Sequence, residues 1–290
     1  MKEYLNEISS RIALSPYTKT IAIVRTIIAS STLMTLIFNP TSILFKKVSG
    51  IENPPICDTY TKYTAFCILN NSHTNLTITK WFVVVALFFI ILGYFPQILG
   101  ILHFYIAYSI QNTMVTIDGG EQVTMVITFW LMLISLFDNR INHWHKPNEH
   151  LSYNKAIGWA LMIVLKVQIA YLYLNSAITK MKNREWLDGS AVYYYLNDNL
   201  YGIPIPIYNF FTFVLETPLV SVVTWGTLII QLLIFASILA QSKVKKIMFI
   251  IAITMHELFA LFMGLVSFSL IMFAVLYFYF HTIREKTEVI

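Results

Sequence analysis

The chain has 290 residues, 57% hydrophobic, 15% aromatic and only 12% charged, with a mean hydropathy of +0.65. Soluble globular domains average about 45–50% apolar and about 25% charged residues, so this composition excludes a water-soluble globular fold and specifies a multi-pass membrane protein. The net charge of +5 requires no nucleic-acid partner: basic residues on cytoplasmic loops produce such a balance, and no nucleic-acid motif is present.

A bilayer-crossing helix needs roughly 20 mostly apolar residues. Eight stretches are candidates: residues 18–38, 80–95, 97–117, 122–137, 156–180, 218–240, 246–264 and 266–283. The second and fourth are short. The second is parted from the third at Pro96, which removes a backbone donor and interrupts a helix. The expected fold class is an all-α integral membrane protein, a bundle of about 6–8 transmembrane helices forming one domain over residues 1–290. Arg25 interrupts the first apolar stretch and no small-residue cleavage site follows, so that span is expected to be retained. With a cytoplasmic N-terminus, Lys2, Arg11, Lys19, Arg140, Lys146, Lys155, Lys243, Lys245, Lys246, Arg284 and Lys286 all fall inside. That bias places both termini in the cytoplasm.

This orientation puts residues 39–79 outside the cell, in the longest loop. Cys57 and Cys67, the two cysteines of the chain, lie there. In an oxidising compartment they are expected to pair. A structural staple is the favoured reading over a redox-active pair, because redox pairs usually sit at C-x-x-C spacing.

Ionisable residues inside spans need a reason. Lys166 falls about ten residues into the fifth span and Glu257 about eleven into the seventh, roughly 15 Å deep in each. Matched depth and opposite charge predict an ion pair, which Gln168, His256, Gln231 and His103 are placed to join as a polar network; Arg25 lies shallower in the first span. The network reads either as a clasp between helices or as a proton-handling or substrate-binding interior. Asp118 and Glu121 flank a double glycine in IDGGEQV, which reads as a tight turn carrying a carboxylate pair. Residues 178–217 form a second polar segment. Just before it Ser176 shares a helix face with Lys180, and within it Trp186 with Tyr193–Tyr195 reads as an aromatic belt at the interface.

The stretch LKVQIAYLYLNSAITKMKNREWLDGSAVYYYL, residues 165–196, resembles the signature of the HTTM superfamily, which includes the vitamin K-dependent gamma-glutamyl carboxylases. The matching positions are Lys166, Gln168, Tyr171 or Tyr173, Ser176, Lys180, Trp186, Asp188, Gly189 and Tyr193–Tyr195. MHELFALFMGLVSFSLIMF, residues 255–273, resembles the family's His-bearing span, and IPIPIY at 203–208 its proline-bearing link. The resemblance implies that Lys180 is a candidate catalytic base acting on a quinone or vitamin K hydroquinone-like lipid, with His256 and Glu257 as further catalytic candidates. An amine in an apolar pocket is more easily held neutral, and a neutral amine accepts a proton. Asp118, Glu121, Trp186, Asp188 and Tyr193 would then line an outward-opening pocket beside it.

The chain ends soon after its last candidate span, so the extracytoplasmic domain by which the carboxylases hold their substrate is not expected. In length it is similar to the sporulation-delaying B family of Bacillus-type bacteria. That similarity implies a cell-membrane protein required to mature a secreted antimicrobial toxin peptide. Its implied partners are a small protein of the sporulation-delaying A type and a toxin precursor of the sporulation-delaying C type. The residues alone show no G-x-S-x-G, no H-E-x-x-H and no metal-ligand spacing. Three classes therefore stay open: a membrane enzyme or enzyme subunit, a scaffold presenting the precursor, and a transporter or immunity-type binding protein.

Overall fold

The computed structural model describes residues 15–47, 54–69, 72–116, 118–146, 152–198, 202–203 and 205–281. Among these residues the secondary structure is helical, without a strand beyond one isolated bridge between Tyr94 and Asn142. In chain order the helices are α1 (Lys19–Phe38), α2 (Thr41–Leu44), α3 (His73–Leu92), α4 (Pro96–Thr113), α5 (Gly119–Leu136), α6 (Ser152–Lys180), α7 (Arg184–Leu187), α8 (Ala191–Leu196), α9 (Ile205–Leu215), α10 (Leu219–Ala236), α11 (Ser242–Met263) and α12 (Val266–Phe280). A helix runs through each of the eight apolar stretches. Six helical segments are long and apolar enough to cross a membrane: α1, α3, α5, α6, α10 extended to Leu239, and α11. At 15 residues α12 is shorter.

Local chemistry sets the helix ends. Ser72 caps α3 by accepting from the Asn75 N–H at 3.2 Å, so α3 begins at His73, seven residues before the apolar run. Residues 73–79 are therefore helix and not loop, as are Thr41–Leu44. Gly93 closes α3 at φ +81°, a left-handed conformation that glycine adopts without strain. Pro96 opens α4 at the first helical position, where its missing N–H costs nothing. Asp118 and Glu121 do not form a tight turn. They build a capping box on α5, with Asp118 Oδ1 accepting from the Gly120 N–H at 2.7 Å and Glu121 Oε2 from the Asp118 N–H at 3.2 Å.

The chain divides into two compact units, Met1–Leu165 and Lys166–Ile290. In the first, α1, α2, α3 and α4 contribute to a core that includes Leu36, Leu87, Ile90 and Ile110, all 1% exposed or less, and α5 packs on α4. The segment 54–69 docks on this core. Phe66 is buried against Phe45 at 5.1 Å, Tyr105 donates to the Tyr63 carbonyl at 2.9 Å, and Ser109 Oγ accepts from the Ala65 N–H at 3.0 Å. A Cys57–Cys67 disulfide closes the segment, so the pair holds a docked loop. Cys57→Ser/Cys67→Ser is expected to lower stability by about 2–3 kcal/mol, from the loop entropy returned to the unfolded chain. Thermal unfolding in detergent reads this directly. Unchanged stability together with lost function would mark the pair as redox-active.

Arg25, 1% exposed, donates to Ser135 Oγ and to the Pro96 carbonyl, and lies over Gly100, one turn from the buried His103. His103 lies with Arg25 in the first unit. Beyond α5, the His143 imidazole covers the Cα face of Gly93, leaving no room for a Cβ. Burial first, then the Arg25 and Arg140 charges, push His143 down to about 3. In the unfolded chain it titrates near about 6.5, so protonation favours the unfolded state between these values. Stability is full above about pH 6.5 and declines as pH falls toward 3, by up to about 1.4 kcal/mol per pH unit from this group. Melting curves from pH 7.5 to 4.5 should show a steeper loss for wild type than for His143→Gln; parallel curves would remove His143 as the cause.

Candidate functional site

The second unit holds a cavity of about 890 Å³, walled by α8, α9, α10 and α11 and floored by Phe268 of α12. Its lining is almost wholly apolar, with Thr227, Thr254 and Tyr195 as hydroxyl-bearing residues and Lys180 as the one cation among the described residues. Several lining residues also face outward from the protein, including Ile250 at 65% exposure. The cavity is thus continuous with apolar surface of membrane-spanning helices.

Lys180 is the last residue of the 29-residue α6. Its Nζ donates to Ser176 Oγ at 2.6 Å, one turn back on the same face, and lies 5.5 Å from the Trp186 ring centroid. This face sharing follows from the i, i+4 spacing. Trp186 is 5% exposed, packed on Tyr195 at 6.0 Å and in a small core with Ala191 and Leu228. It is therefore not a belt residue: α7 and α8 fold it inward beneath Lys180. Gly189, at φ +87°, makes this fold-back possible. A Cβ there would come within 2.6 Å of Ser221 at the start of α10. Asp188, exposed, accepts from the Ser190 hydroxyl at 2.6 Å and its N–H at 3.0 Å, bonds that hold its carboxyl below the usual range. Asp188 shapes the turn and is not part of the cavity lining, which takes Tyr195 rather than Tyr193.

His256, 3% exposed, lies behind the cavity wall. Its Nε2 is 3.0 Å from the Tyr173 hydroxyl, and its ring meets Phe259 at 5.7 Å and Phe268 at 5.4 Å, both lining residues. Glu257, next in sequence, points elsewhere: it is exposed and accepts from Ser269 Oγ at 2.9 Å. The expected Lys166–Glu257 pair does not form. Lys166 Nζ donates instead to the His281 carbonyl at 3.0 Å, past the end of α12, whereas Ser269 sits in its first turns. The cause is the offset of α6 against α11. His256 is level with Tyr173, seven residues or about 11 Å along α6 from Lys166. Gln231 is buried in α10, with Oε1 unpartnered among the described residues, and Gln168 is half-buried. The expected network is thus dispersed. Asp118 and Glu121 belong to the first unit, where capping occupies them.

Sequence reading passed over α9, taken as a proline-bearing link. Residues 205–215 form a helix whose Phe211, Val214 and Leu215 line the cavity at i, i+3, i+4 spacing. That spacing in NFFTFVL was the available signal.

No family model and no solved structure matches the chain. Two Bacillus subtilis proteins do. Sporulation-delaying protein SdpB is 35% identical over 274 residues, 94% of this chain and 84% of the relative. The uncharacterized protein YitO is 37% identical over 276 residues, 94% of this chain and 89% of the relative. The chain belongs to the SdpB–YitO family. The matched length takes in residues of both units.

Proposed function

We propose that the protein is a cell-membrane component required to mature a secreted toxin peptide of the sporulation-delaying type from its precursor. In this reading it acts with a small partner of the sporulation-delaying A type, and the precursor is of the sporulation-delaying C type. The observation that carries the proposal is the full-length similarity to SdpB. The cavity around Lys180 supplies the place of action, because it is large, apolar and reached from the membrane. The bias of lysine and arginine supports cytoplasmic termini, which puts Lys180 and the Cys57–Cys67 loop at the outer face, where a secreted precursor is met.

A second reading is favoured by the HTTM-like signature and by the lining itself: a membrane enzyme that uses a quinone or vitamin K hydroquinone-like lipid. An 890 Å³ apolar cavity with one amine at its edge fits a ring carrying a prenyl-type chain. Phe211, Ile230 and Phe259 would hold such a group, and Lys180 Nζ, oriented by Ser176, would take a proton from a hydroxyl beside it. When bound, a hydroquinone supplies reducing equivalents. His256 would brace the wall through Tyr173. A scaffold presenting the precursor would need the cavity but not the amine.

Gly226 allows a direct test. It lines the cavity from α10, and a Cβ added there meets nothing within 4 Å. Gly226→Trp places a ring at this cavity-lining position, with open space at the Cβ and a gain in helix propensity. Cells given the precursor and partner should yield mature toxin only when the chain is present. Gly226→Trp should lower that yield at least tenfold at equal membrane level. Unchanged yield would place the work outside this cavity.

A further inference from the structure

The second unit has another cavity, of about 500 Å³, where the first turns of α11 meet the last turn of α12. We propose that this basin holds the phosphate of an anionic membrane lipid, such as phosphatidylglycerol. Ser242, Lys243, Lys245 and Lys246 line it from α11, and Phe249 and Tyr277 contribute an aromatic floor. Lys166 approaches from α6, with its Nζ bonded to the carbonyl of His281, which also lines the basin.

Lysines at a helix end commonly do no more than reach for water. Three observations set this group apart. The lysines converge on a cavity instead of fanning out over a surface. The lining carries no carboxylate among the described residues, so the positive charges share one concave space without a counter-ion. Lys245 Nζ is tied to the Ile238 carbonyl at 3.0 Å, which leaves Lys243 and Lys246, both exposed, as the mobile cations at the rim. A phosphate diester supplies the missing negative charge and acceptor oxygens.

The surface beside the basin selects a lipid over a soluble phosphate. Ile247 and Ile250, 59% and 65% exposed, continue along α11 from the lysines into its apolar length. A headgroup seated among the lysines would lay its acyl chains on that face. The headgroup basin shares no lining residue with the Lys180 cavity, and its test does not use toxin maturation.

The test is lipid retention by the detergent-purified full chain, read by native mass spectrometry after addition of phosphatidylglycerol or phosphatidylcholine. Phosphatidylglycerol should be retained at least tenfold better. Lys243→Gln/Lys246→Gln, at two exposed positions, should reduce that preference at least fivefold. Adding Lys245→Gln should abolish it. Lys46→Gln/Lys47→Gln/Lys62→Gln, which removes as much charge from exposed sites of the first unit, should leave it intact. Equal retention of the two lipids, or equal loss in the control triple variant, would overturn the proposal. Displacement of the lipid by millimolar inorganic phosphate would also overturn it, since the basin would then be a soluble-phosphate site.

Discussion

Lys180→Ala is expected to reduce mature toxin by a hundredfold or more while the protein stays in the membrane at its normal level. The magnitude follows from the role proposed for the amine, since a positioned acid or base contributes about 10²–10⁴ to rate. Its structural role is small by comparison. Lys180 makes one side-chain hydrogen bond, to Ser176, and rests near the Trp186 ring, so its loss leaves no buried partner unpaired. Lys180→Arg separates base from anchor. Arginine keeps the charge and the ring contact but does not release its proton in proteins, so it should fail if Lys180 is a base and succeed if it is an anchor. Maturation by both variants at wild-type yield would leave the scaffold reading, and the HTTM analogy would then have no support from this residue.

Arg140→Ala is expected to be the most damaging single change to the fold. The guanidinium is 3% exposed and donates twice to the Asp138 carboxylate, at 2.8 and 2.7 Å. It also donates to the His143 and His145 carbonyls at 2.8 and 3.0 Å. Truncation strands a buried carboxylate and two carbonyls, and breaking a buried pair from one side costs about 3–5 kcal/mol. The loop it holds also carries His143 across Gly93 and bonds Asn142 Nδ2 to the Leu92 carbonyl at 2.9 Å, so the α3–α4 corner loosens with it. The expected result is a sharply lower melting temperature in detergent and reduced membrane level. Asp138→Ala/Arg140→Ala should be less harmful than the sum of the single changes, since it leaves no unpaired charge. Near-wild-type melting of Arg140→Ala would mean that the pair contributes little to holding this corner.

The sequence carried the helices because a span is a local property: twenty apolar residues announce themselves wherever they pack. It carried the Lys180–Ser176 contact for the same reason, since i, i+4 on one helix needs no tertiary knowledge. Lys166 and Glu257 were different. Their pairing required the offset between α6 and α11, which depends on side-chain packing such as Tyr173 against His256 and leaves no periodic trace. Trp186 read as an interface residue because its neighbours are polar; only the left-handed Gly189 turns it inward. Asp118 and Glu121 show the converse. Asp-x-x-Glu before an apolar run is a capping box, and the double glycine drew attention to a turn instead. α9 escaped notice because eleven residues are too few to span and two prolines stand at its start.

The exposed apolar rim of the Lys180 cavity has a consequence for how affinity is measured. A ligand that arrives through hydrocarbon is diluted by lipid or detergent, not by buffer. Its occupancy is set by its mole fraction in the membrane phase. Doubling the detergent at fixed ligand should therefore halve the effective concentration, and titrations expressed per litre of solution will disagree between preparations. Titrations expressed per lipid should agree. A ligand scarce in water can in this way saturate the site in the cell, because the bilayer gathers it before the protein does.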